Sequence, residues 1–206
     1  MDSGLSKAIL ALQKENARLK EKITNLEEES DALQAYIAGI SALYSATKSI
    51  ASQDNLFKLL DEILYQALVI INAVHGSLLL VDEDTKELVF VVVHGEFRED
   101  LQGHRIDWHQ GIAGAVVEHG EAIIANQTNF DPRFSSEIDR MIGLTSQKIL
   151  AVPLTHGNKI LGVIELVNKH DLSDFTESDA TILSLLAVFA AMSLAQIELK
   201  MELKGE

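Results

Sequence analysis

Two apolar, β-branched runs, Lys148 to Leu154 and Ile160 to Asn168, flank His156-Gly157-Asn158 and constrain the fold more than any other stretch. Glycine and asparagine adopt the positive φ that a short hairpin turn requires, so the runs are expected to pair antiparallel. Side chains alternate across a strand. Gly162, Ile164 and Leu166 therefore share one face of the second run, and Leu161, Val163, Glu165 and Val167 the other. Both faces are apolar enough to be covered, which leaves the carboxylate of Glu165 out of place. Just downstream, Thr176-Glu177-Ser178-Asp179 has the form of a helix start, with Thr176 as N-cap and Asp179 at the third helical position.

The same reading extends to both sides of this hairpin. Leu56 to Ala73 is periodic at helical spacing, with Leu59, Leu60, Ile63, Leu64, Ala67 and Ile71 on one side, and Ser52-Gln53-Asp54 supplies cap-forming residues before it. Gly76 to Val81 and Leu88 to Val93 form a hairpin across Asp82 to Lys86. Gly95 to Gly103 reads as a charged loop, Arg105 to His109 as an extended run, Gly111 to His119 as a helix and Ala122 to Ala125 as a strand. A polar connection, Asn126 to Phe134, leads to a short helix from Ser135 to about Ile142. The last helix runs from Thr176 to about Lys204. The expected class is α+β: an antiparallel sheet with helices on both faces, occupying residues 54–204.

Ahead of it, Leu5, Leu12, Leu19, Leu26, Leu33 and Ile40 recur every seven residues, with Ile9, Asn16, Ile23, Ser30, Ile37 and Tyr44 at the alternate seam position. Isoleucine alternating with leucine favours two strands, and Asn16 meets its own copy only when the helices run parallel and in register. Residues 1–50 are thus expected to form a homodimeric coiled coil through Leu5 to Ile40. A single amphipathic helix packed on its own domain is the alternative, but so strict a repeat outlasts one globular contact. Leu199 and Leu203, four apart, resemble the start of another coiled coil, through which a signal could leave toward an effector.

Thirty-one acidic residues against seventeen basic give a net charge of -14. A phosphate backbone would be repelled on average, so nucleic acid is not an expected partner. The absence of cysteine removes disulfides, thiolate metal sites and thiol chemistry. Met1-Asp2-Ser3-Gly4 lacks the positive charge of a secretory signal, and the longest apolar stretch, Leu183 to Ile197, is broken by Ser184, Ser193 and Gln196. The expectation is a cytoplasmic protein without a membrane span. His104, Asp107 and His109 are the nearest metal-like grouping, but in an extended chain His104 faces away from the other two, so neither metal nor cofactor is expected. No G-x-S-x-G turn, P-loop or dinucleotide fingerprint occurs, and an enzyme is not expected.

GVIELVNK followed by FTESDA resembles the end of a GAF domain, a small regulatory ligand-binding module. Asn168, Lys169, Phe175 and Asp179 match, at family spacing, the NKFDE signature of GAF domains from cyclic-nucleotide phosphodiesterases and cyclases, with Ala180 in place of the final Glu. GIAGAVVEHGEAIIAN and DPRF extend the resemblance, which covers roughly Asn55 to Leu199 and also takes in bacterial sensor proteins. It implies a pocket on one face of the sheet. Carried over motif by motif, ligand contacts fall on Ser77, Val93, His94, Ile112, Ala113, Asp139, Ile142, Ser146 and Glu165. Val93 stands where an aromatic residue would stack on a base, and His94 replaces an acidic group. Backbone N–H groups at the Gly111 helix start could receive a phosphate or carboxylate.

Plainer readings stand beside these. Glu165 could pair with a nearby Lys or Arg, and Ile112 and Ala113 could be core. Lys169 and Asp179 read as an ion pair tying the last strand to the last helix. The function implied is a sensor domain that binds a small anionic ligand, a cyclic nucleotide ahead of others, and relays occupancy through dimeric helices. A ligand-free dimerisation module in a signalling protein is the alternative.

Overall fold

The structure, a computed structural model, describes residues 13–20, 22 and 53–202. Residues 13–20 are helical; the rest of the heptad repeat, and with it the expected coiled coil of residues 1–50, falls outside the described residues apart from Lys22.

Helix α1 (Gln53–Ile71) starts three residues before its first apolar contact, at the polar cap segment. Asn72, at φ 60°, turns the chain straight into strand β1 (Ala73–Asp82), so Ala73 belongs to the sheet and not to the helix as expected. Strand β2 (Glu87–His94) completes the first hairpin. The charged loop that follows contains one helical turn, α2 (Arg98–Leu101). Its polar sequence hides the reason: Phe97 and Leu101, four apart, face the protein while the intervening charges face water. Next come β3 (Arg105–Asp107), α3 (Gly111–His119), β4 (Ile123–Ala125) and α4 (Glu137–Ile142). The central hairpin β5 (Ile149–His156) and β6 (Lys159–Lys169) leads into helix α5 (Glu177–Glu202).

All neighbouring strands are antiparallel, in the order β3-β2-β1-β6-β5-β4. Helices α1 and α5 cover one face, where Leu60, Ile63, Leu64 and Leu183 pack with Leu78, Ile164 and Leu166. The other face carries a second core in which Ile112, Ala113 and Val116 of α3 meet Leu79, Phe90 and Val163. Both faces are covered, as the fold class requires.

Two register shifts break the simple alternation. Between β1 and β2, Leu78 pairs with Val92 but Leu79 with Phe90, so Val91 is an extra residue. Val91 and Val92 both turn to the first core while Phe90 and Val93 share the second. Between β5 and β6, Leu154 pairs with Gly162 and Thr155 with Ile160, leaving Leu161 unpaired. Leu161 consequently joins the first core with Ile164, and not the face of Val163 on which strict alternation placed it.

Helix α5 begins with the expected reciprocal cap: Asp179 N donates to Thr176 Oγ1 at 3.2 Å and Thr176 N to Asp179 Oδ2 at 2.8 Å. From Glu177 to Gln196 it is long and apolar enough to cross a bilayer by composition, longer than the Leu183 to Ile197 stretch suggested. Here it lies on the sheet with Leu183, Ala187 and Ala190 in the core.

Candidate functional site

The cross-sheet register sets the floor of a cavity. Ser77 on β1 pairs with Val93 on one side and Glu165 on the other, and Glu165 pairs in turn with Ala151. This row lies on the face away from α1 and α5. The N-terminal turn of α3 and the inner side of α4 close over it and enclose about 90 Å³. That is several times the roughly 10–15 Å³ one water needs on the same scale.

Helix α3 comes close because of two glycines. Gly111 opens it at φ 70°. A Cβ on Gly114 would lie 2.3 Å from the carbonyl carbon of His109, so any larger residue would push the helix off the preceding loop. Gln110 at the N-cap makes no side-chain cap bond, and the first turn carries no acidic residue. The positive end of the helix therefore faces the cavity, where Gly111, Ile112 and Ala113 line it. Glu165 answers it from the floor. The Ala113 backbone hydrogen-bonds its carboxylate, yet burial dominates and pushes its pKa up from 4.5 to about 7. Among the described residues no lysine or arginine lines the cavity, so the plainer reading of Glu165 as half of a Lys or Arg pair is not realised: the backbone at the start of α3 hydrogen-bonds it instead. Part of Glu165 remains accessible, and that part lies in the cavity wall.

Asp139 and Ser146 also reach the wall, but they are bound to each other. Ser146 N and Oγ each donate to the Asp139 carboxylate at 2.7 Å. The pair closes the loop from α4 to β5, and Thr128 Oγ1 caps it by donating to the Ser146 carbonyl. Gln110 Nε2 donates to Glu137 Oε2 at 2.8 Å, tying the start of α3 to the start of α4. Ile142 packs partly buried against the same core.

His94 borders the cavity, but its imidazole is turned away. Nε2 lies 3.1 Å from Asp61 Oδ1 on α1, out of line for a hydrogen bond, and the ring sits 6.0 Å from Tyr65. His94, carried over as a ligand contact, thus stands at the cavity edge with its ring beside Asp61 and Tyr65. The extra residue in β2 rotates it to the far face. Val93 does face the cavity and offers no aromatic surface, but Phe90, Phe97 and Phe134 bring three rings that sequence reasoning had not placed there. The Phe97 ring also lies 5.4 Å from His75, whose Nδ1 has no hydrogen-bond partner and whose pKa is lowered by burial. Gly95, at φ 114°, permits this: its Cβ would stand 2.4 Å from that nitrogen.

The signature residues organise the neighbourhood from outside the cavity. Asn168, at φ 56°, accepts from Gln147 N and Lys148 N through Oδ1 and donates to the Thr145 carbonyl through Nδ2. Lys169 Nζ lies 2.8 Å from Asp179 Oδ2, both largely buried, and 5.5 Å from the Phe175 ring. Phe175 N donates to Asn126 Oδ1, and Asn126 Nδ2 donates back to the Phe175 carbonyl.

A mostly apolar cavity on one face of an antiparallel sheet, roofed by a helix terminus, is consistent with a small-molecule-binding domain of α+β type. The chain belongs to the GAF family: the model of the GAF domain matches residues 54–195. It is 31% identical over 139 residues to the probable 3',5'-cyclic phosphodiesterase pde-5 of Caenorhabditis elegans, 63% of this chain and 19% of that protein. To the dual 3',5'-cyclic-AMP and -GMP phosphodiesterase 11A of Takifugu rubripes it is 32% identical over 97 residues, 46% of this chain and 11% of that protein. The chain thus spans a fifth or less of these relatives. In structure it is similar to the GAF domain of a phosphoenolpyruvate-protein phosphotransferase from Coxiella burnetii, with TM-score 0.67 and 20% identity over 79% of this chain and 95% of that one.

Proposed function

We propose that this chain is a non-catalytic sensor domain that binds a cyclic purine nucleotide in the cavity under α3 and passes occupancy to its terminal helices. The N-terminus of α3 over an apolar cavity carries the reading: the Ala113 backbone is engaged by Glu165, while Gly111 and Ile112 line a space with room for a phosphate at the end of the helix that favours an anion. Phe97 and Phe134, both half-buried in the wall, supply the stacking surface that Val93 lacks. Base stacking on such rings contributes about 1–3 kcal/mol. Glu165 and Ser77 supply polar contacts on the floor. Relatedness to cyclic-nucleotide phosphodiesterases supports the same class of ligand. The setting we infer is a cytoplasmic signalling protein, homodimeric through Leu5 to Ile40 and coupled to an effector.

Calorimetry with cyclic AMP and cyclic GMP tests it. Binding at submillimolar concentration is expected, with a loss of affinity in Ser77→Ala and Phe97→Ala. Ligand at a hundred times its dissociation constant should add about 2.7 kcal/mol of stability. If neither nucleotide binds at submillimolar concentration, the ligand assignment fails.

A further inference from the structure

Most polar side chains that line the cavity are committed to partners. Asp139 and Ser146 bind each other, Gln110 holds Glu137 and Ser135, and the Ala113 backbone engages Glu165. His94 is turned to Asp61. Ser77 and His75 are left. His75 stands two residues before Ser77 on β1, hence on the same face of the sheet, and pairs with Val167 as Ser77 pairs with Glu165. Its ring is fixed from two sides. The Phe97 ring lies 5.4 Å away, tilted by 48°. On the other side a Cβ on Gly95 would stand 2.4 Å from Nδ1 but 3.2 Å from Cγ, so the glycine fills the direction that a hydrogen on Nδ1 would take. That hydrogen would meet the Gly95 C–H with no acceptor, whereas a lone pair fits there. The proton of the neutral ring therefore sits on Nε2. Burial lowers the pKa of His75 from 6.5, with Glu96 opposing and His170 adding, and keeps the ring neutral at pH 7.

We propose that His75 determines specificity in this cavity: its Nε2–H donor selects purine nucleotides that carry a carbonyl, with guanine or hypoxanthine as base, over adenine nucleotides. This rests on the nucleotide reading above and adds a residue to which the family resemblance gave no role. A base lying on Phe97 presents an edge to the imidazole packed beside that ring. There guanine offers O6 and N7, both acceptors, whereas adenine offers one acceptor and the N6 amino donor. A fixed donor matches the first pattern and is left facing another donor by the second. Ser77 makes no such choice, because a hydroxyl both donates and accepts.

Calorimetry with cyclic GMP, cyclic IMP and cyclic AMP on the full chain tests the assignment. Cyclic IMP keeps O6 but lacks the guanine amino group, which isolates the carbonyl. Cyclic GMP and cyclic IMP should bind about tenfold tighter than cyclic AMP, the worth of one hydrogen bond. His75→Phe keeps a ring against Phe97 and removes the donor, so it should abolish that ratio by weakening the two keto nucleotides and leaving cyclic AMP as it was; circular dichroism confirms its fold. A ratio that survives in His75→Phe, or a wild type that binds all three equally or prefers cyclic AMP, overturns the role of His75 and leaves the nucleotide reading standing. Binding of none of the three overturns both. Nitrogen NMR of the ligand-free wild type gives a check that needs neither ligand nor variant: at pH 7 the His75 ring should carry its proton on Nε2, and a proton on Nδ1 overturns the proposal.

Discussion

Glu165 concentrates the electrostatics of the cavity in one side chain. Its folded pKa, about 7, stands above its ordinary value of 4.5 because burial outweighs the helix terminus that hydrogen-bonds it. The unfolded chain releases this proton first as pH rises. The contribution of this one carboxyl to stability is therefore fully present below 4.5, is lost between about 4.5 and 7, and is flat above, by about 3 kcal/mol at most. Denaturant titrations of wild type and Glu165→Gln at pH 5 and pH 8 check the sign: the variant should lose less on going to pH 8. An equal loss in both would show that this carboxyl is not the titrating group. Asp139 behaves differently. Its carboxylate holds Ser146 N and Oγ, so Asp139→Ala leaves buried donors unpaired and should cost about 1–3 kcal/mol, read as a lower melting midpoint without ligand. A change in nucleotide affinity on that substitution would confound loop collapse with lost contact, whereas Ser77 is a cleaner probe.

At the scale of elements, the junction of β6 and α5 rests on Asp179. It accepts from Lys169 Nζ, Thr176 N and Thr176 Oγ1. Asp179→Ala should cost about 3–5 kcal/mol, because it strands a buried ammonium as well as removing a cap. Lys169→Met combined with Asp179→Asn should be less harmful than Asp179→Ala alone. Urea denaturation of wild type, Asp179→Ala, Lys169→Met, Asp179→Asn and the double variant decides; additive losses for the last three would mean that the two charges do not share an energy. Helix α3 has its own constraint in Gly114. Gly114→Ala should lift the helix from His109 and abolish nucleotide binding while the α1, α5 core keeps the protein folded, a result that calorimetry and circular dichroism together would show.

For the whole molecule, sedimentation equilibrium at micromolar concentration should give twice the 22.6 kDa chain mass. Charged residues in place of Leu12, Leu19 and Leu26 should remove the tether and leave a folded monomer. A monomeric wild type would end both the zipper reading and the proposed relay.

Local sequence determined most of the elements, because each depends on neighbours a few residues apart. The hairpin at Gly157, the Thr176 to Asp179 cap, the limits of α3 and the two-sided sheet were legible from spacing and turn chemistry. The tertiary structure alone decided which side chains meet in the cavity. The extra residue at Val91 reverses the direction of His94 and places Phe90 with Val93, so that β2 serves both cores, and alternation along the strand did not foretell it. Phe97 sits amid charges, and only the packing of α2 brings it to His75. Whether Ile112 and Ala113 fill space or line it likewise depends on where α3 and α4 come to rest, a balance of contacts between residues distant in the chain. Glu165 could be seen as misplaced from alternation alone, but its answer, the N-terminus of a helix some fifty residues earlier, exists only once the chain has closed on itself.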